Sequence, residues 1–287
     1  MTANLGERIK QFYDAASPLW EQTWGEHMHH GYYGPAGTYR VERRQAQVDL
    51  MEALIAWAGV QAPRAILDVG CGIGGSTLYL AEKYDALATG ITLSPVQAER
   101  ARERGTAAGL GDRLTFQVAD ALATPFPSAS FDLVWSLESG EHMPDKAAFL
   151  RECYRLLQPG GRLLLATWCH RPTTSLAGPL TASEQGHLQA LYEVYHLPYV
   201  ISLPEYEAIA RDCGFTSLQS ADWSTAVAPF WDAVIARALD PRTWPGVWQA
   251  GPDTLRATLA LVLMRQGYAS GLVRFGLLTA CKPRESL

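Results

Sequence analysis

Five short apolar runs alternate with amphipathic stretches through the middle of the chain, at residues 65–69, 86–92, 114–119, 131–136 and 162–168. Each run has the length of a buried strand, and in the stretches between them apolar residues recur at helical spacing. Strands that alternate with helices in this way predict an α/β fold, in which helices cover both faces of a parallel sheet.

Two more strands and two long insertions are predicted in the C-terminal part of the chain. Residues 215–223 are predicted to form a sixth strand and residues 271–281 a seventh, hairpin-type strand. The segments at about 170–203 and 225–270 are longer than the connections require, and such excursions usually serve function. We expect them to form a helical cap over a large apolar ligand. The alternative is a pair of helices that only completes the core.

The first 60 residues precede the sheet and are predicted to be mainly helical. Residues 6–25 form one or two short helices broken near Pro18, and residues 40–58 form an amphipathic helix. The segment between them is rich in histidine and aromatic residues. We expect residues 1–60 to be a helical lid on a Rossmann-like domain of residues 61–287. The alternative is that the aromatic side chains only dock this segment on the core.

The composition limits the class of protein and its partners. The chain has 287 residues, of which 48% are hydrophobic and 18% charged, and a net charge of -5 gives no general attraction to nucleic acid. Its five cysteines are scattered, which indicates neither zinc nor disulfides and favours a reduced, cytoplasmic compartment. We find no signal peptide and no apolar run long enough to span a membrane. Peripheral contact with a membrane stays open.

A glycine-rich loop follows the first predicted strand. Asp68 and the alternating Gly70, Gly72 and Gly74 form a D-x-G-x-G-x-G pattern, and an amphipathic helix starts at once. Strand, glycine loop and helix in this order predict a nucleotide-type site, although dinucleotide enzymes share the glycine pattern. No P-loop lysine follows, which disfavours a triphosphate site. The loop resembles the first motif of class I S-adenosylmethionine-dependent methyltransferases, as does the L-x-P-G-G turn at residues 157–161.

The resemblance implies S-adenosylmethionine as the cofactor, bound at the loops that follow the first four strands. Thr92 stands where an acidic residue usually holds the ribose, and with Gln97 it is expected to take that role. The alternative is a plain helix start at Ser94-Pro95 with Gln97 exposed. Asp120 is expected to accept the adenine amino group; its alternative is a helix cap. The full predicted cofactor set is Asp68, Gly70, Cys71, Gly72, Gly74, Thr92, Leu93, Gln97, Asp120, Ala121 and Glu138.

Motifs over essentially the whole chain resemble those of gamma-tocopherol methyltransferases of cyanobacteria and plants. They are WGEHMHHGYY at 24–33, LESGEHMPD at 137–145, WCHR at 168–171, LPY at 197–199 and DWS at 222–224. The resemblance implies a seven-stranded class I methyltransferase fold with helical cap insertions. Plant indole-alkaloid N-methyltransferases share several of these motifs. The absence of a plastid transit peptide suits a cyanobacterial form, for which peripheral contact with a thylakoid-type membrane is open.

The implied reaction moves the methyl group of S-adenosylmethionine to a ring carbon beside a phenolic hydroxyl. It converts gamma- to alpha-tocopherol and delta- to beta-tocopherol in vitamin E biosynthesis. The alternatives are another quinol or phenol, an indole-type amine, or a cofactor-binding relative that does not transfer methyl groups. His142 is the first candidate for the base that takes the phenolic proton. Glu138 is expected to support it if the loop is helical, and Glu141 to bind substrate or the cofactor amine.

The remaining predicted site residues face the acceptor. The predicted substrate-binding set is Tyr13, Trp20, His29, His30, Trp168, His170, Tyr199 and Trp231. Among these residues, His29, His30 and His170 are alternative bases. We predict no metal site, because the histidines at 27, 29 and 30 have no carboxylate or cysteine ligand at a matching spacing.

Overall fold

The computed structural model describes the backbone of residues 6–11, 13, 14, 17, 21, 25–238 and 252–284, and their side chains except those of 238 and 252–259. The N-terminal residues described before 25 are all helical. The predicted break at Pro18 lies outside the described residues, as do Trp20 and the two tryptophans at 244 and 248.

A seven-stranded sheet forms the centre of the molecule, in the order β3-β2-β1-β4-β5-β7-β6. The strands are β1 (Ala65–Val69), β2 (Leu87–Thr92), β3 (Leu114–Val118), β4 (Phe131–Leu137), β5 (Leu157–His170), β6 (Thr216–Asp222) and β7 (Val273–Cys281). Strands β1 to β5 pair in parallel, and β7 lies antiparallel between β5 and β6. The predicted α/β fold with seven strands is therefore confirmed.

Nine labelled helices surround the sheet within the described residues. They are α1 (Arg43–Ala58), α2 (Gly75–Tyr84), α3 (Pro95–Ala107), α4 (Lys146–Leu156), α5 (Ala182–Tyr195), α6 (Leu203–Asp212), α7 (Ser224–Val227), α8 (Pro229–Ala238) and α9 (Pro252–Ala269). Two 3-10 turns are also present in the described residues, Gly111–Arg113 before β3 and Gly140–His142 after β4. No helix in the described part of the chain is both long and apolar enough to cross a bilayer.

Alternate residues of the central strands bury opposite faces of the sheet in two cores. Leu133 and Trp135 of β4 pack with α1, α5, α8 and α9, whereas Val134 packs with α4 and α6. Strands that are buried on both faces explain why the predicted runs are apolar throughout instead of alternating. The two-sided core holds the carboxyl ends of β1 to β5 in a fixed row, and the site lies there.

Candidate active site

A cavity of about 690 Å³ lies at the carboxyl ends of the parallel strands. Residues 6, 9, 10 and 13 of the N-terminal helical segment and the 26–30 loop line it on the outside. We call the part lined by the loops after β1, β2 and β3 the glycine-loop half. The part lined by Tyr13, His29, His30, the residues that follow β4, and the aromatic side chains of β5, α5 and α8 is the aromatic half.

Gly70 is the tightest point of the glycine-loop half. Its φ is +80°, and a Cβ atom there would lie 2.3 Å from the Cβ of Ser139. Ser139 in turn donates a hydrogen bond to the carbonyl of Val69 at 2.6 Å, which ties the loop after β4 to the end of β1. Only glycine allows this backbone shape at so close an approach. Gly72 also has a positive φ, +53°, but open space lies where its Cβ would be.

Asp68 is a buried carboxylate at the end of β1. The Thr77 hydroxyl donates to it at 2.7 Å. Burial raises the pKa of Asp68 to about 7, against the smaller opposing effect of the Thr77 hydrogen bond. A cationic ligand group beside it would stabilise the charged carboxylate.

Thr92 and Gln97, predicted for the ribose, contact each other. The Thr92 hydroxyl donates to the Gln97 side-chain oxygen at 2.8 Å, and the Gln97 amide donates to the Ser17 hydroxyl at 3.0 Å. Ser94 caps α3 and also bonds Asp14. The helix start of the alternative is present, but Gln97 is buried and lines the cavity instead of being exposed. The same residues join the N-terminal helical segment to the rim of the cavity.

Two further loops complete the glycine-loop half. Asp120 and Ala121 line the cavity after β3, and the Asp120 carboxylate accepts a hydrogen bond from the Leu122 amide at 2.9 Å. Cys71 and Leu93 also line it. Gly74 does not line it. Its φ of +82° starts α2, and a Cβ there would lie 3.0 Å from Ala101 and Phe116, so its role is in packing.

Gln47, a fully buried residue of α1, holds the 26–30 loop in place through hydrogen bonds. Its side-chain amide donates to the carbonyls of His27 and His29, both at 2.8 Å. A polar residue inside an amphipathic helix carries no signal of this role, and the sequence reasoning missed it. The amide brings His29 and His30 to the cavity in a single defined conformation.

His30 and Glu138 form a buried pair. Glu138 accepts hydrogen bonds from the His30 backbone N–H at 2.6 Å and from His30 Nδ1 at 2.7 Å. The indole N–H of Trp168 donates to the same carboxylate at 3.1 Å. Burial alone would raise the pKa of Glu138, but the charges and hydrogen bonds of His30, together with His29, hold the pKa below its usual value. Glu138 is therefore a charged carboxylate that faces His30.

This pairing corrects the expected role of Glu138. The sequence analysis expected Glu138 to support His142 from one turn earlier on a helix. Instead Glu138 has a left-handed φ of +54°, and the 3-10 turn begins two residues later. The backbone reversal at the end of β4 turns the Glu138 carboxylate toward His30 and away from the His142 side of the turn.

His142 is paired with the N-terminal helical segment instead. Its Nε2 lies 2.8 Å from the hydroxyl of Tyr13, and the two rings meet edge to face at 5.4 Å. Burial and the nearby charge of Lys146 lower the pKa of His142 to about 3. His142 is therefore a neutral imidazole that contacts the N-terminal helical segment.

Glu141 lies at the back of the cavity. The Thr167 hydroxyl donates to it at 2.7 Å, and burial together with the Glu138 charge raises its pKa to about 8. Lys146, also buried, donates to the carbonyls of Gly140, Glu141 and Met143 at 2.7 to 2.9 Å and fixes the 3-10 turn. Burial lowers the pKa of this lysine to about 7.

Aromatic side chains enclose the His30 ring. The centroids of Phe230 and Trp231 lie 4.9 and 5.0 Å from it, and that of Trp168 lies at 6.1 Å. Tyr195, which the sequence reasoning missed together with Phe230, packs edge to face on Trp168 at 5.2 Å. Both missed residues lie in predicted insertions, and only their aromatic character pointed to them.

Two predicted substrate residues are not in the cavity. The His170 imidazole bonds the carbonyl of Arg171 at 2.7 Å and lies near Glu205, because β5 carries it past the rim. Tyr199 is 38% exposed and lies over Lys146 on the outer side of the turn. Both predictions are wrong for this arrangement. Among the described residues, no cluster of three or more histidine, cysteine, aspartate or glutamate side chains could hold a metal ion.

Comparison with known proteins shows which family has this site. Residues 67–165 match the methyltransferase domain family. A chloroplastic tocopherol O-methyltransferase of Arabidopsis thaliana is 42% identical over 98% of this chain and 84% of its own length. The 2-methyl-6-phytyl-1,4-hydroquinone methyltransferase of Synechocystis sp. is 35% identical over 91% of this chain and 83% of its own. The chain belongs to the tocopherol methyltransferase family.

Solved structures agree with the fold. The cyclase SpnF superposes with a TM-score of 0.80 at 26% identity, over 96% of this chain and 95% of that one. Membership of the tocopherol methyltransferase family makes the chain an enzyme that uses S-adenosylmethionine as its methyl donor. The glycine-loop half fits this donor, because Asp68 is a buried carboxylate suited to a cationic group and Gly72 leaves the backbone open to a ligand.

Proposed function

We propose that the enzyme methylates the chromanol ring of tocopherols at the vacant carbon beside the phenolic hydroxyl. Gamma-tocopherol then gives alpha-tocopherol, and delta-tocopherol gives beta-tocopherol. Asp68, Gly70, Cys71, Gly72, Thr92, Leu93, Gln97, Asp120 and Ala121 would hold the donor, and Tyr13, His29, His30, Trp168 and Trp231 the acceptor. We further propose that residues 1–60 act as a lid over both.

One observation carries the proposal. A single cavity joins the glycine-loop half to a compartment with Trp168, Tyr195, Phe230 and Trp231 in its wall, and an imidazole and a charged carboxylate are buried in that compartment. Aromatic walls suit a flat apolar ring and exclude water. The buried proton acceptors suit a phenol. The names of the relatives support a phytylated phenol or quinol as the substrate class.

The chemistry requires a base because a neutral arene carbon is a poor nucleophile. Removal of the phenolic proton places negative charge on the adjacent ring carbon. A phenol with a pKa of about 10 loses its proton to a free imidazole at a cost of about 5 kcal/mol. S-adenosylmethionine supplies a methyl group on a positively charged sulfur. A dry cavity favours the transfer, since the negative and positive charges neutralise each other as the methyl moves.

The plant relative is named an O-methyltransferase, so transfer to the phenolic oxygen is the second candidate function. It needs the same base and the same cavity. Only the position of the new methyl group in the product separates the two. Methylation of a quinol is the third candidate function, because the cyanobacterial relative is named a hydroquinone methyltransferase.

The test is incubation of the purified enzyme with methyl-labelled S-adenosylmethionine and gamma-tocopherol, with chromatography of the lipid product. We expect labelled alpha-tocopherol. Alpha-tocopherol as acceptor is the matched control, because both ring carbons beside its hydroxyl already carry methyl groups. Label in that control would show O-methylation and contradict the proposal. Transfer only to 2-methyl-6-phytyl-1,4-hydroquinone would move the substrate to the quinol class.

A further inference from the structure

Three imidazoles line the aromatic half, those of His29, His30 and His142. His29 bonds the backbone carbonyl of His30 through Nδ1 instead of a carboxylate, and burial lowers its pKa, so the choice lies between His30 and His142. The one that accepts the proton becomes positively charged in a buried site. A charged carboxylate on the opposite ring nitrogen stabilises that state and fixes the tautomer. The hydrogen-bond partners of His30 and His142 therefore decide between them.

His30 has such a carboxylate. Glu138 is ionised and can only accept, so the Nδ1 atom of His30, 2.7 Å from it, carries a proton. Nε2 is then the atom with the free lone pair. It is buried and has no hydrogen-bond partner within the described chain. The hydrogen bond to Glu138 therefore selects the tautomer in which Nε2 can accept a proton.

A second observation indicates that a polar ligand group belongs beside this ring. The indole N–H of Trp231 and the hydroxyl of Tyr268 are also buried without hydrogen-bond partners among the described residues. Both rings contact His30, with centroids at 5.0 and 5.7 Å. Buried unpaired polar atoms are costly, and Trp231 lines the cavity together with His30, so its indole N–H and His30 Nε2 favour a polar ligand group there. A phenolic hydroxyl could donate to His30 and accept from Trp231.

The surroundings of His142 differ, although its Nδ1 is likewise buried without a hydrogen-bond partner among the described residues. Its Nε2 is already hydrogen-bonded to Tyr13 at 2.8 Å, and the nearby positive charge of Lys146 disfavours a second positive charge. The neighbouring Glu141 bonds Thr167 instead. This imidazole is built to remain neutral and to hold the lid.

We propose that His30, oriented by Glu138, is the catalytic base that takes the phenolic proton of the acceptor, while His142 fastens the lid through Tyr13. The assignment rests on the proposed function. In the step, the O–H electron pair stays on the phenol oxygen as its proton goes to His30 Nε2. The adjacent carbon bonds the methyl group, and the carbon–sulfur pair goes to sulfur, which leaves as a neutral thioether. The ring proton then passes to water, and the oxygen takes its proton back from His30.

The test observes the proton transfer without turnover. The probe is the chromanol nitrated at the acceptor carbon, which cannot be methylated there and whose phenolate absorbs visible light. It is bound to the full-length enzyme with S-adenosylhomocysteine, at a pH about one unit below the pKa of the probe, where roughly a tenth of the free probe is ionised. We expect the wild-type enzyme to bind the ionised form.

The variants separate the two imidazoles. In His30→Asn the amide can still donate to Glu138, but the accepting nitrogen is gone. We expect the ionised fraction of the bound probe to fall about tenfold in this variant and to persist in the matched His142→Asn. Glu138→Gln is the second variant, in which the loss of the carboxylate is also expected to reduce ionisation. Binding of S-adenosylhomocysteine shows that each variant is folded.

Each other outcome has a defined meaning. Ionised probe in both His30→Asn and Glu138→Gln, or bound wild-type probe that stays neutral, overturns the assignment of His30. Loss of ionisation in His142→Asn alone assigns the base to that residue instead. If the wild-type enzyme binds S-adenosylhomocysteine but no chromanol, the proposed function itself is wrong, and the base assignment falls with it.

Discussion

The two halves of the cavity are built by different means. The glycine-loop half lies within residues 68–121 and depends on backbone shape, as the approach of Gly70 to Ser139 illustrates. The aromatic half depends on side chains brought together from distant positions. His30 and Glu138 are 108 positions apart, and Tyr13 and His142 are 129 apart. The difference teaches that donor binding and acceptor chemistry should be separable by mutation.

The largest expected effect is on the aromatic half. His30→Asn should lower kcat for gamma-tocopherol by about 100-fold or more, since general-base catalysis contributes about that much. The affinity for S-adenosylhomocysteine, measured by calorimetry, should stay within about twofold because the glycine-loop half is untouched. His142→Asn is the control and should lower kcat by less than about tenfold. Equal losses of kcat in the two variants would contradict the assignment of the base to His30.

Substitution in the glycine-loop half should instead weaken the binding of S-adenosylhomocysteine. Gly70→Ala forces a side chain into a left-handed position against Ser139. We expect the dissociation constant for S-adenosylhomocysteine to rise about tenfold, because strain of this kind costs 1 to 3 kcal/mol. Gly186→Ala, in α5 with open space at its Cβ position, is the matched control. Unchanged affinity in Gly70→Ala would show that the loop tolerates another shape.

Loss of the hydrogen bond between Tyr13 and His142 is expected to have a smaller effect. Tyr13→Phe keeps the ring and removes the hydroxyl that bonds His142. A hydrogen bond of this kind is worth about 1 kcal/mol, so KM for gamma-tocopherol should rise about fivefold while kcat changes little. Steady-state kinetics measures both. A fall in kcat without a change in KM would give Tyr13 a part in the chemistry.

The smallest effect is on stability. The pKa of Glu141 is raised to about 8 in the folded chain from 4.5, so between these values the folded state binds more protons than the unfolded state. Its contribution to stability is present below about pH 4.5 and is lost as the pH rises through 8. Glu141→Gln should therefore gain stability relative to wild type on going from pH 5 to pH 8, by several degrees in Tm. Melting curves that keep a constant difference would contradict this.

Local features of the fold were predictable from the sequence. Strand β1 coincides with the predicted run at 65–69, and the Gly70 loop follows it, because strand burial and a left-handed glycine turn are properties of neighbouring residues. The antiparallel pairing of β7 with β6 agrees with the predicted hairpin-type seventh strand, but the position of β7 between β5 and β6 was not predicted.

The pairing within the aromatic half was not predictable in the same way. His142 was the first candidate for the base because it follows the fourth strand, and the support expected from Glu138 assumed a helical loop. Instead Glu138 adopts a left-handed turn and meets His30 of the 26–30 loop. No residue within ten positions of Glu138 in the sequence indicates that its carboxylate pairs with His30. Only the packing of the N-terminal segment across the strand ends brings the two together.

The most direct test of the account compares acceptors of different acidity. The ratio of kcat/KM between wild type and His30→Asn is measured for gamma-tocopherol and for a fluorinated analogue whose phenol is about two pKa units more acidic. Lower nucleophilicity of the fluorinated ring affects both enzymes and cancels in the ratio. If His30 removes the phenolic proton, the ratio falls about tenfold with the acidic analogue, while the ratio for His142→Asn stays constant. A ratio for His30→Asn that is the same for both acceptors would contradict the account.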